Sequence, residues 1–302
     1  MLQERIESYL NAKLPAAADL RLSNLWRIPG GASRETWSFD ARWREDGKDV
    51  SRGLILRRDP DASVLETERD LEFRVMEAVW SQGVPVPKMH WLEQDGAWLD
   101  RPFFVMDRID GCETSPQRLL MEPRYVRVQQ AIARQFTQIL ARIHALDWKA
   151  LGLDFLGVPP GPAGCAGRGV VLVHADYRTG NFLVDEQGEI KGVLDWEMAH
   201  LGDPLEDIAW ACIRPWRWAG DERVGGLMTR DEFYRAYSEL TGLEIDDESL
   251  RFWEVLGNVK LAAIFLTGGR SFCEGRTASV MMALLGRNTG RLELEIMDLM
   301  EV

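Results

Sequence analysis

Three short apolar runs with polar punctuation between them constrain this chain more than any other feature: Val170 to Val173, Phe182 to Val184 and Ile190 to Leu194. Runs this short, bounded by turn residues, read as buried strands. The second and third flank Asp185-Glu186-Gln187-Gly188-Glu189 and read as a hairpin, with Gly188 midway between Asn181 and Asp195. The first runs into His174-Ala175-Asp176-Tyr177-Arg178-Thr179-Gly180-Asn181. A chain that leaves Asn181 on one strand and returns on the next delivers Asp195 beside it. That is also the end of the hairpin where the loop carrying Asp176 sits, so two carboxylates and an amide converge. An ordinary polar turn, whose Asp and Asn only satisfy backbone donors, is the plain alternative. The register that brings in Asp195 argues against it. These residue types are the ones phosphoryl transfer requires: a carboxylate at the attacking hydroxyl, and oxygen ligands for the magnesium on nucleotide phosphates.

At 302 residues the chain is long for one compact unit, and its pattern changes partway along. Trp37, Phe39, Ala41 and Trp43 alternate with polar residues, the period of a half-buried strand. Leu54-Ile55-Leu56 and Pro102 to Met106 read as further strands. Between them Ala62 to Gln82 reads as a helix, with Leu71, Val75 and Val79 on one face and Gly83 after its end. From Gly111 the pattern is helical, with Ile132, Phe136, Ile139, Leu140 and Ile143 forming one apolar stripe. Residues 1–107 are thus expected to form a sheet-rich nucleotide-binding lobe. Residues 108–302 are expected to form a helical lobe with the catalytic loop and acceptor pocket, joined to the first by a hinge near Met106 to Gly111.

Several function classes fall away. A net charge of −12 argues against nucleic acid, whose backbone demands a basic surface. No apolar run reaches the length of a membrane span, and Leu2, Ile6 and Leu10 mark an amphipathic helix, not a signal peptide. Cys112, Cys165, Cys212 and Cys273 are scattered with no Cys-x-x-Cys pair, which points to a reduced, cytoplasmic setting. No Gly-x-x-x-x-Gly-Lys-Ser/Thr, His-Glu-x-x-His or Gly-x-Ser-x-Gly occurs.

The loop from His174 to Asn181, with Asp195-Trp196-Glu197 and Gly202-Asp203-Pro204-Leu205-Glu206-Asp207 beyond it, resembles the aminoglycoside phosphotransferase and choline kinase-like family. In that family the loop reads His-Gly-Asp-x-x-x-x-Asn, so Ala175 stands where Gly is usual. Bacterial phosphotransferase-family proteins and the kinase-like portions of acyl-CoA dehydrogenase fusions are the relatives this implies. The implied fold is α+β, protein-kinase-like and bilobal: a small antiparallel-sheet N-lobe with one long helix, and a larger helical C-lobe.

The resemblance implies an ATP- and Mg2+-dependent small-molecule kinase. Asp176 would be the base, Asn181 and Asp195 the metal ligands, and Asp207 the brace of the catalytic loop. His174, at a buried strand end, reads as structural, and Asp203 as the cap of a helix starting at Pro204. On the nucleotide side, the turn Pro29-Gly30-Gly31-Ala32-Ser33 would bring backbone N–H groups to phosphate, with Gly30, Gly31 and Ser33 in contact. A bare hairpin turn is the alternative there. Arg57 takes the place of the usual strand lysine and Glu72, bordering the apolar face of its helix, is its expected partner. Arg58 should point away into solvent. Adenine would lie against Met106, Asp107 and Ile109, with Phe104 lining the pocket.

The acceptor is expected to be a small molecule with a hydroxyl group, and the resemblance extends this to a hydroxy acid or hydroxyacyl-CoA. Arg214-Pro215-Trp216-Arg217-Trp218 is either a binding wall, through Arg214, Trp216 and Trp218, or a loop packed on helices. Lys260, Arg270 and Arg276 would add positive charge to that wall. Asp246-Asp247-Glu248 reads as a capped helix start, not as a cradle for a cationic antibiotic. A nucleotide-binding pseudokinase or regulatory protein without turnover is the alternative function, with Arg57 in place of lysine its only support. The acceptor's identity, the choice between ATP and GTP, and the oligomeric state are not legible.

Overall fold

Helix α1 (Leu2–Lys13) and a run of long strands open the first of two units. The computed structural model describes residues 1–28, 35–59, 70–158, 168–218, 221–277 and 279–301. Their contacts divide into Met1–Glu77 with Pro87–Asp110, and Ala78–Val86 with Gly111–Val302. The expected phosphate turn at Gly30, Gly31 and Ser33 lies outside the described residues, as does most of 62–70 in the expected helix.

In the first unit, β1 (Ala18–Ile28), β2 (Glu35–Glu45), β3 (Lys48–Arg58), β4 (Met89–Glu93) and β5 (Phe103–Asp107) form one antiparallel sheet in the order β1-β2-β3-β5-β4. Strand side chains alternate between faces. Phe39, Ala41, Leu54, Leu56, Phe103 and Val105 therefore share one face, where they pack with Ile6, Tyr9 and Leu10 of α1. The other face carries Ile55, Arg57, Phe104 and Met106, and Phe104 meets Phe73 of α2 (Leu71–Trp80) with ring centroids 6.1 Å apart. Strand β4 was not expected, and β1 only without bounds, as the strand leading into the Pro29 to Ser33 turn. Only Leu20 and Leu22 of β1 are buried, too sparse an apolar pattern to read. Its pairing with β2 slips between Ala18 and Arg21 and between Ser23 and Trp26. The slips fall on Asp19 and Asn24, at φ 58° and 54°, residue types that tolerate left-handed backbone at a bulge.

One expectation is corrected here. Arg58 is not solvated: it faces Glu35 across the β2–β3 pair and forms an ion pair with it at 2.6 Å. The sheet supplies a cross-strand partner that a single strand cannot show.

In the second unit, β6 (Cys112–Glu113) precedes α3 (Pro116–Met121), α4 (Pro123–Val126) and α5 (Gln129–His144). Strand β7 (Val171–Val173) enters the loop from His174 to Asn181, and β8 (Phe182–Asp185) and β9 (Ile190–Val193) leave it as the expected hairpin. β6, β8 and β9 form one small sheet, and β7 pairs with β10 (His200–Gly202) in another. Asp203 caps α6 (Pro204–Cys212), accepting from Leu205 N–H at 2.9 Å, with proline in the first turn. The remaining helices are α7 (Arg230–Thr241), α8 (Asp247–Cys273), α9 (Val280–Arg287) and α10 (Thr289–Met300). Asp246 caps α8, accepting from Ser249 N–H at 2.7 Å. Among the described residues no helix is long and apolar enough to cross a membrane.

Candidate active site

The loop after β7 is held from beneath by one carboxylate. Asp207 of α6 accepts from the backbone N–H of His174 at 2.7 Å and of Ala175 at 2.8 Å, one on each oxygen. His144, at the end of α5, donates to the same carboxylate at 3.1 Å and accepts from Tyr237 of α7 at 2.6 Å. Burial pushes the Asp207 carboxyl upward, but the His144 hydrogen bond, the nearby imidazoles and the loop amide outweigh it and hold it below the usual carboxylate range. Ala175 sits at φ 67°, the left-handed region that glycine adopts freely, and its bond to Asp207 helps hold it there. The position expects glycine, and the loop keeps its shape without it.

His174 ties the loop to the strand that follows the hairpin. Its Nδ1 accepts from Asp176 N–H at 3.2 Å, and its Nε2–H donates to Leu194 C=O at 3.0 Å. That pair of roles requires the neutral ring. Burial lowers the imidazole's pKa, against the upward pull of Asp207, Asp176 and Asp195. His174 is a pin, as its position at the strand end suggests.

The hairpin register then delivers the functional side chains. Phe182 pairs with Val193, and Leu194 N–H donates to Asn181 C=O at 2.8 Å, which places Asp195 next to Asn181 along the paired strands. Asp195 adopts φ 62° between Leu194, bonded on both sides, and the fully buried Trp196. Asn181 donates through its side-chain amide to Asp176 Oδ2 at 2.6 Å. Asp176 Oδ1 accepts from the Trp210 indole at 2.9 Å and from Arg178 Nε at 2.9 Å. Trp210 and Arg178 were not read from the sequence as site residues. Arg178 carried a usable signal, two residues past Asp176 in a turn.

Beyond Asp176 lies a wall of indoles. The Arg178 guanidinium lies over Trp216 at 4.5 Å from the ring centroid, and Trp216 stacks between Trp210 at 5.9 Å and Trp218 at 6.0 Å. Lys260 covers Trp210 at 5.5 Å and pairs with Glu206 at 2.8 Å. Arg214 and Arg217 are tied to Glu295 at 3.2 and 3.3 Å. Arg270 and Arg276 pair with Glu274 at the far end of α8, more than two turns beyond Lys260. The structure thus gathers Trp216 and Trp218 with Asp176 through Arg178, and commits Arg214 to a carboxylate. Among the described residues no group of three or more His, Cys, Asp or Glu side chains is placed to hold a metal.

In the first unit, Arg57 Nη1 donates to Glu72 in a pair whose side chains are 9% and 1% exposed. At the predicted hinge, Asp107 N–H donates to Lys88 C=O and Arg108 N–H to Gly53 C=O, both at 2.9 Å. Arg108 is further anchored by Asp40 at 2.6 Å, and Asp107 by His90 at 2.7 Å. Ile109 is the residue of the three whose N–H donates to no partner among the described residues.

A loop of this build, joined to a hairpin that returns an aspartate, in a chain whose other unit is a sheet with a strand–helix ion pair, defines a kinase-like phosphotransferase. The model of the phosphotransferase enzyme family matches residues 32–164 and 156–253, and the chain belongs to that family. It is 27% identical over 80% of its length to acyl-CoA dehydrogenase family member 10 of Mus musculus. It spans 26% of that relative, 36% of probable acyl-CoA dehydrogenase IBR3 of Arabidopsis thaliana and 38% of acyl-CoA dehydrogenase family member 11 of Rattus norvegicus. Among solved structures, a Ralstonia eutropha protein, an aminoglycoside phosphotransferase by assignment only, superposes with a TM-score of 0.72 at 22% identity, covering 96% of this chain and 95% of that one. Aminoglycoside phosphotransferase APH(4)-Ia with ADP and hygromycin B gives 0.57 at 18%, covering 96% and 97%. At these identities the likeness is one of fold.

Proposed function

We propose that this chain is a kinase that uses ATP and magnesium to phosphorylate a hydroxyl on a small molecule, with Asp176 as the base. The observation that carries this reading is the Asp176 carboxylate, held on Oδ2 by Asn181 and on Oδ1 by Trp210 and Arg178. The acceptor oxygen would bond to the terminal phosphorus as the bond to ADP breaks, its proton passing to Asp176. Oδ1 already accepts two hydrogen bonds and Oδ2 one, so Oδ2 retains the lone pair for that proton.

Asn181 and Asp195 fit a hard cation. The Asn181 amide nitrogen is spent on Asp176, which leaves its oxygen as the ligand, and Asp195 adds a carboxylate. Magnesium, when bound, supplies positive charge against the phosphates. In the first unit we assign phosphate contact to Arg57, oriented by Glu72, and to the backbone of Gly30, Gly31 and Ser33. We assign adenine to Met106, Asp107 and above all the N–H of Ile109. ADP in the APH(4)-Ia complex supports the nucleotide. For the acceptor we propose a hydroxy acid or hydroxyacyl-CoA held by Trp216 and Trp218, with Arg214 at the rim. Thiols at Cys212 and Cys273 that form no disulfide among the described residues support a cytoplasmic setting.

The test is ADP release screened against hydroxy acids, acyl-CoAs, amino alcohols and aminoglycosides, with Asp176→Ala as the blank. Turnover that vanishes in the blank is the expected result. Nucleotide binding with no Asp176-dependent turnover on any acceptor would leave a regulator in place of an enzyme.

A further inference from the structure

The charges around the indole wall are unequally committed. Arg214, Arg217, Arg230 and Lys260 each have a glutamate partner: Glu295 for the first two, Glu254 and Glu206 for the others. Arg178 is different. The one carboxylate it pairs with among the described residues is Asp176, the group proposed as base. That contact uses Nε alone, while Nη1 reaches only Thr179 C=O at 3.5 Å. The two-pronged edge of the guanidinium, which matches a carboxylate or phosphate in parallel hydrogen bonds, is left without an anion among those residues.

The ring beneath it is also incomplete. The indole N–H groups of Trp216 and Trp218 are buried and meet no acceptor among the described residues. Buried donors in folded proteins are almost always satisfied, so two unmet ones stacked side by side beside a base require an explanation. An oxyanion brought to the Arg178 guanidinium would lie at the edge of this indole stack.

We infer that Arg178 recognises an oxyanion on the acceptor, a carboxylate or phosphate ester close to the reacting hydroxyl, and trades its bond to Asp176 for it. The inference rests on the kinase reading for the role of Asp176, and narrows the acceptor to an anionic hydroxy compound. Acceptor binding then relieves Oδ1 of one of its two donors as the hydroxyl arrives, which makes the carboxylate whose Oδ2 takes the proton more basic.

Binding without nucleotide tests this separately from turnover. Tryptophan fluorescence is titrated with 3-hydroxybutyrate, glycerol 3-phosphate and the neutral 1,3-butanediol. At least one anion should saturate the signal and the diol should not; which anion does so separates a carboxylate source from a phosphate one. Arg178→Met should weaken that anion by roughly ten- to a hundredfold, the span of one hydrogen bond to a charged group. Arg178→Lys, which keeps charge without the fork, should fall between. Asp176→Asn frees the guanidinium and should tighten the anion in the native background, but far less in Arg178→Met. Equal binding of diol and anion, no saturable anion signal, or unchanged affinity in Arg178→Met would overturn the inference, as would an Asp176→Asn effect independent of residue 178. Should Arg178→Met fail to fold, Arg178→Gln and Arg178→Lys carry the same comparison. Absent ADP release alongside Arg178-dependent anion binding would count against the kinase reading alone.

Discussion

Two arginine–carboxylate pairs, one in each unit, differ in what surrounds them. Arg57 and Glu72 are 9% and 1% exposed, closed between a strand and a helix. Arg178 and Asp176 are 20% and 16% exposed, in a loop, with the carboxylate shared among three donors. A closed pair is desolvated on all sides, so breaking it leaves a buried charge and it fixes position. A pair that is partly open to solvent loses less when water or a ligand replaces one partner. The first pair is built to hold, the second to trade.

The comparison can be broken at either pair. The largest effect should come from Asp176→Ala, a loss of about 10²- to 10⁴-fold in turnover with the melting temperature nearly unchanged. A parallel fall in stability would mean that the open pair is structural after all. Next, Glu72→Gln leaves Arg57 buried against a neutral partner and should cost roughly 3–5 kcal/mol in urea denaturation. Arg178→Met should cost less than about 1 kcal/mol in the same assay. Similar costs for both would erase the distinction.

A smaller effect separates pin from base. Burial lowers the pKa of His174 from 6.5, so the unfolded chain takes up that proton at a higher pH than the folded one. Stability from this group is complete above 6.5 and declines as pH falls below it. His174→Gln should flatten that slope in urea titrations on either side of 6.5, and an unaltered slope would reject the neutral pin. Smallest of all, Ala175→Gly relieves a left-handed alanine and should stabilise by at most about 1 kcal/mol, offset in part by the freer unfolded chain. A clear destabilisation would show that the loop does not need glycine geometry.

The hairpin was legible because its period and its turn are local: strand, Gly188, strand, with Asp195 in register beside Asn181. Arg57 with Glu72 was legible from a helix face and a strand, two periodicities that need no third element. The extent of β1 was hidden because it buries little of its own, and β2 recruits it. Arg58 was misread for the same reason: its partner Glu35 lies across the sheet.

From sequence alone came the chemistry of the catalytic loop, its carboxylates and amide, and the alternation that builds the sheet, because each depends on neighbours a few residues apart. Only the tertiary structure decided which cations remain available. Glu295, Glu206 and Glu254 arrive from elements far along the chain to claim Arg214, Lys260 and Arg230. Arg178 is left with Asp176 and a stacked indole. Whether a charge is spent or available depends on partners brought close in space, which spacing along the chain does not encode.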